Sequence, residues 1–592
     1  RTDLPAWIPA FDGVDVLAHG RAEVHRFAFP EASIRALRQK YPELPAAAKP
    51  APPSGPAGDE LEGSNMWAIH GSRTVSGRTI LLGNPHQPWA ALYYEAQITV
   101  PGKINFYGTT FIGRPVLTTG FNERLAWTHT VNLPDLADIY TLTADPQRPE
   151  SYLFEGQSRE LIRHEVAVEI HDRGKLRTER RTYWDSHLGP IVHRAGNKLF
   201  ALKTSFAEAF RYYEEWYALS KSRNWKEFTA NLRRNQIPMF NLVYADADGN
   251  IAYVWNGMVP KRVEGPDYRL DVPGETGRYV WTGLHTLDEL PQLFNPAGGY
   301  VQNCNDPPWW TTLRQPLDPA KFPSYFEPGR TLGLRTQVSL EMLEGQEKFT
   351  LEDVIRLKFN NKMLLADRVR PDLLKALREA PNPSVNLKRA GAALEAWDGR
   401  VDAASRGAVL FQRFWETYRT ATQQPFAVPW DATNPNTTPR GIAVPALALR
   451  HLEEAAAWTR KTYGAEDVAW GDVHRLRLGN LDLPAGGAGG EYGLFRVMNY
   501  APAPDGKRVI GVPDAKQGQL AGGGDGAIFA VEFTRPLRAF SILAYGQTRN
   551  PASKHSADQA PLFARQELKR VAFTENEIRA NLARSYRPGQ EP

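Results

Sequence analysis

A serine that follows a glycine at the end of a proline-rich stretch is the residue in this chain best placed to do chemistry. The junction reads Glu62-Gly63-Ser64-Asn65-Met66-Trp67. If the Gly63–Ser64 bond is cut, Ser64 carries both a hydroxyl and a free α-amine. An α-amine has a reference pKa of about 7.7–8.0, against about 10.4 for lysine, so near neutral pH a sizeable fraction is free base. That base can take the hydroxyl proton, directly or through a water, with no separate histidine. Gly63 has no Cβ, so the bond before the serine can adopt the strained geometry that self-cleavage by the same hydroxyl needs. On these local residues alone, a plain Gly-Ser turn stands beside the nucleophile as a reading.

Other chemistries leave less trace. There is no GxxxxGK[ST], HExxH, GxSxG or CxxC. The single cysteine, Cys304, excludes an intramolecular disulfide framework and a thiolate-only zinc cluster, and reads as a small packing residue. The DADGN segment at 246–250 begins like a calcium loop but lacks the later ligands and the closing glutamate. Lying between FNLVYA and IAYVW, it reads as a hairpin turn. The glycine clusters at 486–490 and 522–526 read as loops. A net charge of +5 over 592 residues is too mild to point to nucleic acid. No apolar run approaches the roughly 18 to 20 residues of a membrane span.

The elements that must position Ser64 follow a coarse order. Residues 21–44 hold one short helical pattern, with Ile34, Leu37 and Tyr41 at spacings of three and four. Residues 45–63 contain five prolines and three glycines and read as an exposed spacer. At Ser64 a dense strand pattern begins. Runs include Met66–His70, Thr79–Leu82, Glu95–Val100, Ile104–Ile112 and Leu125–Val131. Two hairpins are expected over 160–203, a helix over 206–232, and strand again over 240–256. Helices are expected over 351–366, 385–397, 405–420, 444–462 and 574–585. Strand blocks alternating with helix blocks predict α+β layering. Length alone predicts about four domains. Because the first residue is Arg1, the chain reads as a processed product or a fragment.

The stretch SNMWAIHGSRTVSGRTILLGNPHQPW, at 64–89, resembles the start of the catalytic chain of penicillin-acylase-type N-terminal-nucleophile hydrolases. Further segments match in order: GFNERLAWTHTVNLPDLADIY (120–140), GYVQNCNDPPW (299–309), LGLRTQ (332–337) and YGQTRNPASKHSADQ (545–559). WDGRVDAASRGAVLFQRFW (397–415), PFAVPWDATNPNTTPRG (425–441) and His86 are most similar to acylases of acyl-homoserine lactones and of lipopeptides such as aculeacin.

The resemblance implies a four-layer αββα sandwich and cleavage between Gly63 and Ser64. Residues 1–44 would be the end of an α chain, 45–63 a spacer, and 64–592 the catalytic β chain, paired with the α chain. Residues 1–63 are shorter than a usual α chain of this family. Ser64 would be the nucleophile and its α-amine the base. His86 would orient that pair and add a pH dependence near neutrality. The Val131 N–H and the Asn305 amide would hold the oxyanion, with Asn303 as the alternative donor. Arg335 would brace Asn305. Gln87 and Trp89 are candidates for the acyl pocket; relatives often have phenylalanine at the first position, so a purely aliphatic pocket is in doubt. Asp135 and Asp138 align with ligands of a structural calcium; catalysis needs no cofactor.

The implied reaction is hydrolysis of a small-molecule amide in the periplasm or outside the cell. The leading substrate is an N-acyl-homoserine lactone, which would be quorum quenching; a β-lactam or a lipopeptide is the nearest competitor, the former tied to antibiotic resistance. Two other readings stand. The chain could be the unprocessed precursor. Its 16 tryptophans and 22 tyrosines could also line the groove of a non-catalytic binding module.

Overall fold

The computed structural model describes residues 12–42, 63–172, 175–326, 331–503, 518–587 and 590. Apart from Gly63, the expected spacer at 45–63 lies outside the described residues.

The strand Gly63–Ile69 runs antiparallel between Ile80–Pro88 and Tyr300–Asn303, inside a ten-stranded sheet. Side chains alternate across a strand, and here both faces are buried. Met66 and Ala68 pack with Phe121, Val243, Trp255 and Phe529 between this sheet and a seven-stranded one. Trp67 and Ile69 face outward onto Leu340 and Leu343 of the helix Leu334–Glu344 and onto Leu351 and Val354 of Leu351–Lys358. Burying a large apolar side chain stabilises by roughly 1.5–3 kcal/mol, more than the net roughly 0.5–1.5 kcal/mol of one hydrogen bond. This strand is therefore anchored by packing on its two faces as well as by pairing along both edges.

The seven-stranded sheet is covered in turn. Trp127, Leu242 and Tyr244 pack against Trp216 and Leu219 of Tyr212–Lys221 and Phe228 of Trp225–Leu232. The order helix, sheet, sheet, helix is the expected αββα sandwich. Its ten-stranded sheet draws strands from Gly63 to Arg570, so the core is not divided among about four consecutive domains.

Outside the sandwich, the helices Leu364–Glu379, Val385–Ala396, Ala408–Ala421 and Pro445–Tyr463 share a core around Val369, Leu394, Phe411 and Leu452. A third sheet contains the two expected hairpins, Ile162–Asp172 with Lys175–Ser186 and Gly189–Ala195 with Lys198–Thr204. DADGN is a hairpin turn, its Asp246 carboxylate accepting from the Asp248 and Asn250 amides at 3.0 and 2.8 Å.

Several elements differ from expectation. The helix expected over 206–232 is two, because the Asn224 side chain accepts from the Glu227 amide at 3.0 Å and starts a new one. The helix expected over 351–366 ends at Lys358, and another starts at Leu364. The 522–526 glycines are not simply a loop; they carry the end of the strand Gln519–Asp525. The N-terminal segment forms two helices, Gly13–Ala28 and Glu31–Lys40. Ile34 and Leu37 pack on Phe200 and Leu202. A Cβ at Gly20 would come within 2.0 Å of the Tyr213 hydroxyl, so the first helix lies directly on that ring.

Candidate active site

Ser64, Asn305, Arg335 and His86 meet around one peptide bond. The Ser64 amide donates to Asn305 Oδ1 at 2.7 Å, and its hydroxyl donates to the Gly63 carbonyl. Arg335, at the start of Leu334–Glu344, donates through Nη1 to the Ser64 carbonyl at 2.6 Å and to Asn65 Oδ1 at 2.8 Å. Its Nη2 donates to Asn305 Oδ1 at 2.9 Å. Two donors on one oxygen fix which way the Asn305 amide points. Its Nδ2 consequently faces the Val131 carbonyl, at 2.9 Å.

The turn after Tyr300–Asn303 makes this reach feasible. Asn305 has φ 73°, a left-handed conformation that asparagine tolerates. Asn303 is used otherwise. Its Oδ1 accepts from the Asn305 amide at 2.7 Å, Thr130 Oγ1 at 2.6 Å and Asn241 Nδ2 at 3.0 Å, bracing the two sheets together. Of the two asparagines, Asn305 is the one that touches Ser64.

His86 lies directly opposite Gly63 in the strand pair. Its Nε2 is 2.9 Å from Asn84 Oδ1 and 3.0 Å from Asp525 Oδ1. Burial pushes its pKa down to about 4, against the upward pull of Asp525. The ring is therefore neutral at pH 7, and the pH dependence near neutrality expected of it does not arise there. Gly63 is closely caged: a Cβ on it would lie 3.2 Å from His86 Nδ1 and 3.3 Å from both Arg335 Nη2 and Asn305 Oδ1.

Sequence reasoning missed the residues behind His86. Lys358 Nζ donates to Asp525 Oδ2 at 2.7 Å, both side chains fully buried. Burial raises the Asp525 carboxyl, but the Lys358 ammonium and His86 outweigh it and hold it below the ordinary value. A lone acid inside GGGDG was the available signal.

A cavity of about 60 Å³ opens beside Ser64. Gln87 borders it, as expected, together with Phe111, Arg114, Val131, Trp216 and Phe240. Trp89 does not. Its indole donates to the Asp525 carbonyl at 3.1 Å, and its ring packs against Tyr545 and Phe563 on the helical side of the sheet. The calcium expectation at Asp135 and Asp138 meets an arginine instead. Arg262 Nη2 lies 3.2 Å from Asp135 Oδ2 and 3.1 Å from Asp138 Oδ1, so a guanidinium already supplies the cation there. The binding-groove reading fails on burial: Trp67, Trp127, Trp216, Trp255 and Trp470 are wholly buried and build the core. Cys304 is buried, its thiol pushed up to about 12, as a packing residue would be.

The penicillin amidase family model matches residues 7–580. The chain belongs to the penicillin amidase family. This family member is an amide-hydrolysing acylase of the N-terminal-nucleophile fold, whose chemistry needs no cofactor. It is 30% identical over 556 residues to the acyl-homoserine lactone acylase PvdQ of Pseudomonas fluorescens (strain Pf0-1), covering 88% of this chain and 69% of that one. It is 28% identical over 604 residues to the aculeacin-A acylase of Actinoplanes utahensis, covering 92% and 74%. In fold it is similar to the thermostable penicillin G acylase from Alcaligenes faecalis, with TM-score 0.63, 21% identity, and 89% of this chain and all of that one covered. Among the acylase's described residues no helix is long and apolar enough to cross a membrane.

Proposed function

We propose that this acylase is made as a precursor that cuts itself between Gly63 and Ser64, and that it then removes the acyl chain from N-acyl-homoserine lactones. The observation that carries the first part is the cage around the bond: Ser64, Asn305, Arg335 and His86 all converge on it. The Ser64 oxygen attacks the Gly63 carbonyl carbon; the new C–O bond replaces the C–N bond and frees the α-amine. Water then hydrolyses the ester and leaves Gly63 as a carboxylate. Residues 1–44 form the end of the α chain, 45–63 a spacer released when water hydrolyses a second peptide bond before it, and 64–592 the catalytic chain. Export to the periplasm or beyond belongs to this reading.

In the mature enzyme the α-amine takes the Ser64 hydroxyl proton as the oxygen attacks the substrate carbonyl. Asn305 Nδ2 and the Val131 N–H stabilise the oxyanion. The amine passes its proton to the leaving nitrogen, and water releases the acid from the acyl-serine. Asn305 Oδ1, already an acceptor for the Ser64 nitrogen, holds the amine in place.

This mechanism has a pH signature. The Ser64 α-amine has a reference pKa of about 7.7–8.0; the nearby Arg335 guanidinium disfavours its ammonium form and the Asn305 oxygen that accepts from it favours that form. Because the amine works as free base, kcat/KM should rise with pH through the ionisation of that amine. His86, protonated only near pH 4, adds no second limb above pH 5. A pH–rate profile from 5 to 9 tests this; a kcat/KM independent of pH across that range would contradict it.

Support for the lactone comes from the match to an acyl-homoserine lactone acylase over 88% of the chain. The match to aculeacin-A acylase over 92% supports a lipopeptide as the second reading. Mass spectrometry of products from acyl-homoserine lactones of graded length, penicillin G and an acylated lipopeptide separates them. Free homoserine lactone is expected; its absence at every chain length would discard the leading substrate.

A further inference from the structure

The third sheet ends in a strand that pairs on one side only. Ile162–Asp172 forms that edge and is bonded to Lys175–Ser186 alone. Both strands are exposed over nearly their whole length. Along a free edge, alternate residues leave their N–H and C=O groups unpaired, open to another strand. Natural edges are commonly kept short, kinked by a bulge or interrupted by proline. This one runs for 11 residues in unbroken register and contains no proline. Side chains alternate across it. One face carries a β-branched row of Ile162, Val166, Val168 and Ile170, the first three of them exposed. Within one chain such a row gains little, because water reaches it. The other face carries Arg163, Glu165, Ala167 and Glu169. Arg163 leans along its own strand to Glu165. Across the hairpin Arg163 meets Trp184 and Glu169 meets Thr178, so neither charge finds its opposite there.

A second copy of the same strand supplies what is missing. Two copies about a twofold axis run antiparallel, and residues that meet must lie on the same face, so the register moves only in whole steps of the axis from residue to residue. With the axis at Val166, that residue meets its own copy. Ile162 then meets Ile170, His164 meets Val168, and Arg163 meets Glu169, each pair occurring twice. Moving the axis by one residue sets Glu165 against its own copy in one direction and against Glu169 in the other. Both are like-charge contacts, which destabilise a strand pair. We infer that Ile162–Asp172 is a self-recognition edge, through which two copies of this chain join into one continuous antiparallel sheet centred on Val166. The inference does not depend on the reading of Ser64. A single strand pair buries less than a standard interface, so the dimer forms and parts with concentration.

Sedimentation equilibrium of the purified enzyme, diluted from about 100 to about 1 μM, reads this directly. The mass should fall from twice that of one copy towards that of one. Glu169→Arg turns both contacts with Arg163 repulsive and should raise the dissociation constant at least about tenfold. Adding Arg163→Glu to it reverses both charges and should restore most of the association. Both side chains are exposed, so amide hydrolysis by the same preparations should be unchanged. Cysteines read the register. Facing residues of an antiparallel pair have Cα atoms about 4.5–5.5 Å apart, within a disulfide's reach. Val166→Cys should therefore give a cross-linked dimer on a non-reducing gel. Ala167→Cys, one step off the axis, should not; the native Cys304 is buried and does not interfere. A single-copy mass at every concentration, which would leave the edge to some other protein, would overturn the inference. So would a dimer indifferent to Glu169→Arg, a double reversal that fails to restore association, or equal cross-linking by the two cysteines.

Discussion

Replacing Ser64 by alanine is expected to leave the chain in one piece and to abolish amide hydrolysis. Both effects come from one atom. In the uncut chain the Ser64 hydroxyl rests against the carbonyl of the bond it would break. The thiol of Cys304 is buried and held protonated, its pKa pushed up to about 12. Without the cut there is no α-amine, so the general base is lost together with the nucleophile. Gel analysis and N-terminal sequencing read the first effect, and product assays read the second. A chain starting at residue 64, or hydrolysis above background, would sink the assignment.

The second large effect is expected from Asn305→Ala. That change removes the Nδ2 donor proposed for the oxyanion and the Oδ1 that orients the Ser64 nitrogen. Losing one oxyanion donor costs about 10²–10³ in kcat, so a fall of at least that size is expected, with KM changed far less. Asn303→Ala supplies the contrast. Asn303 braces Thr130 and Asn241 across the sheets, so its loss should lower the melting temperature. If Asn303→Ala instead matches the kcat loss of Asn305→Ala without loss of stability, the two roles have been assigned the wrong way round.

How much of this was legible in the sequence differs by residue, for physical reasons. Ser64 and His86 sit on paired neighbouring strands, so their meeting follows from a short hairpin. The roles of His86, Asn305 and Arg335 come from the resemblance; nothing local requires an asparagine in a left-handed turn to reach back to Ser64. Gln87 and Trp89 look alike in a strand reading, two residues apart. The strand ends at Pro88, however, and alternation no longer governs where the indole goes. Asp525 was hidden because glycines flanking an acid read as a loop, although here they form a strand end beside His86. Arg262 lies 124 residues from Asp138, and no pattern of spacing announces such a pair. The sandwich follows from the resemblance; strand and helix patterns by themselves reach only α+β layering, because a strand buried on both faces, such as Gly63–Ile69, carries no two-residue alternation.

The helix that rests on Tyr213 through Gly20 has a consequence for the enzyme's durability. While the chain is continuous, that helix is tethered to the sheets and returns to them whenever it detaches. A cut at Gly63–Ser64 would end the tether, and reassembly would become an encounter between two molecules, slower at lower concentration. The finished enzyme would then hold its shape by a barrier to escape rather than by ready return. Its lifetime under heat or denaturant would be a rate rather than an equilibrium, and a chain that folded once as a precursor would not be expected to refold as its parts.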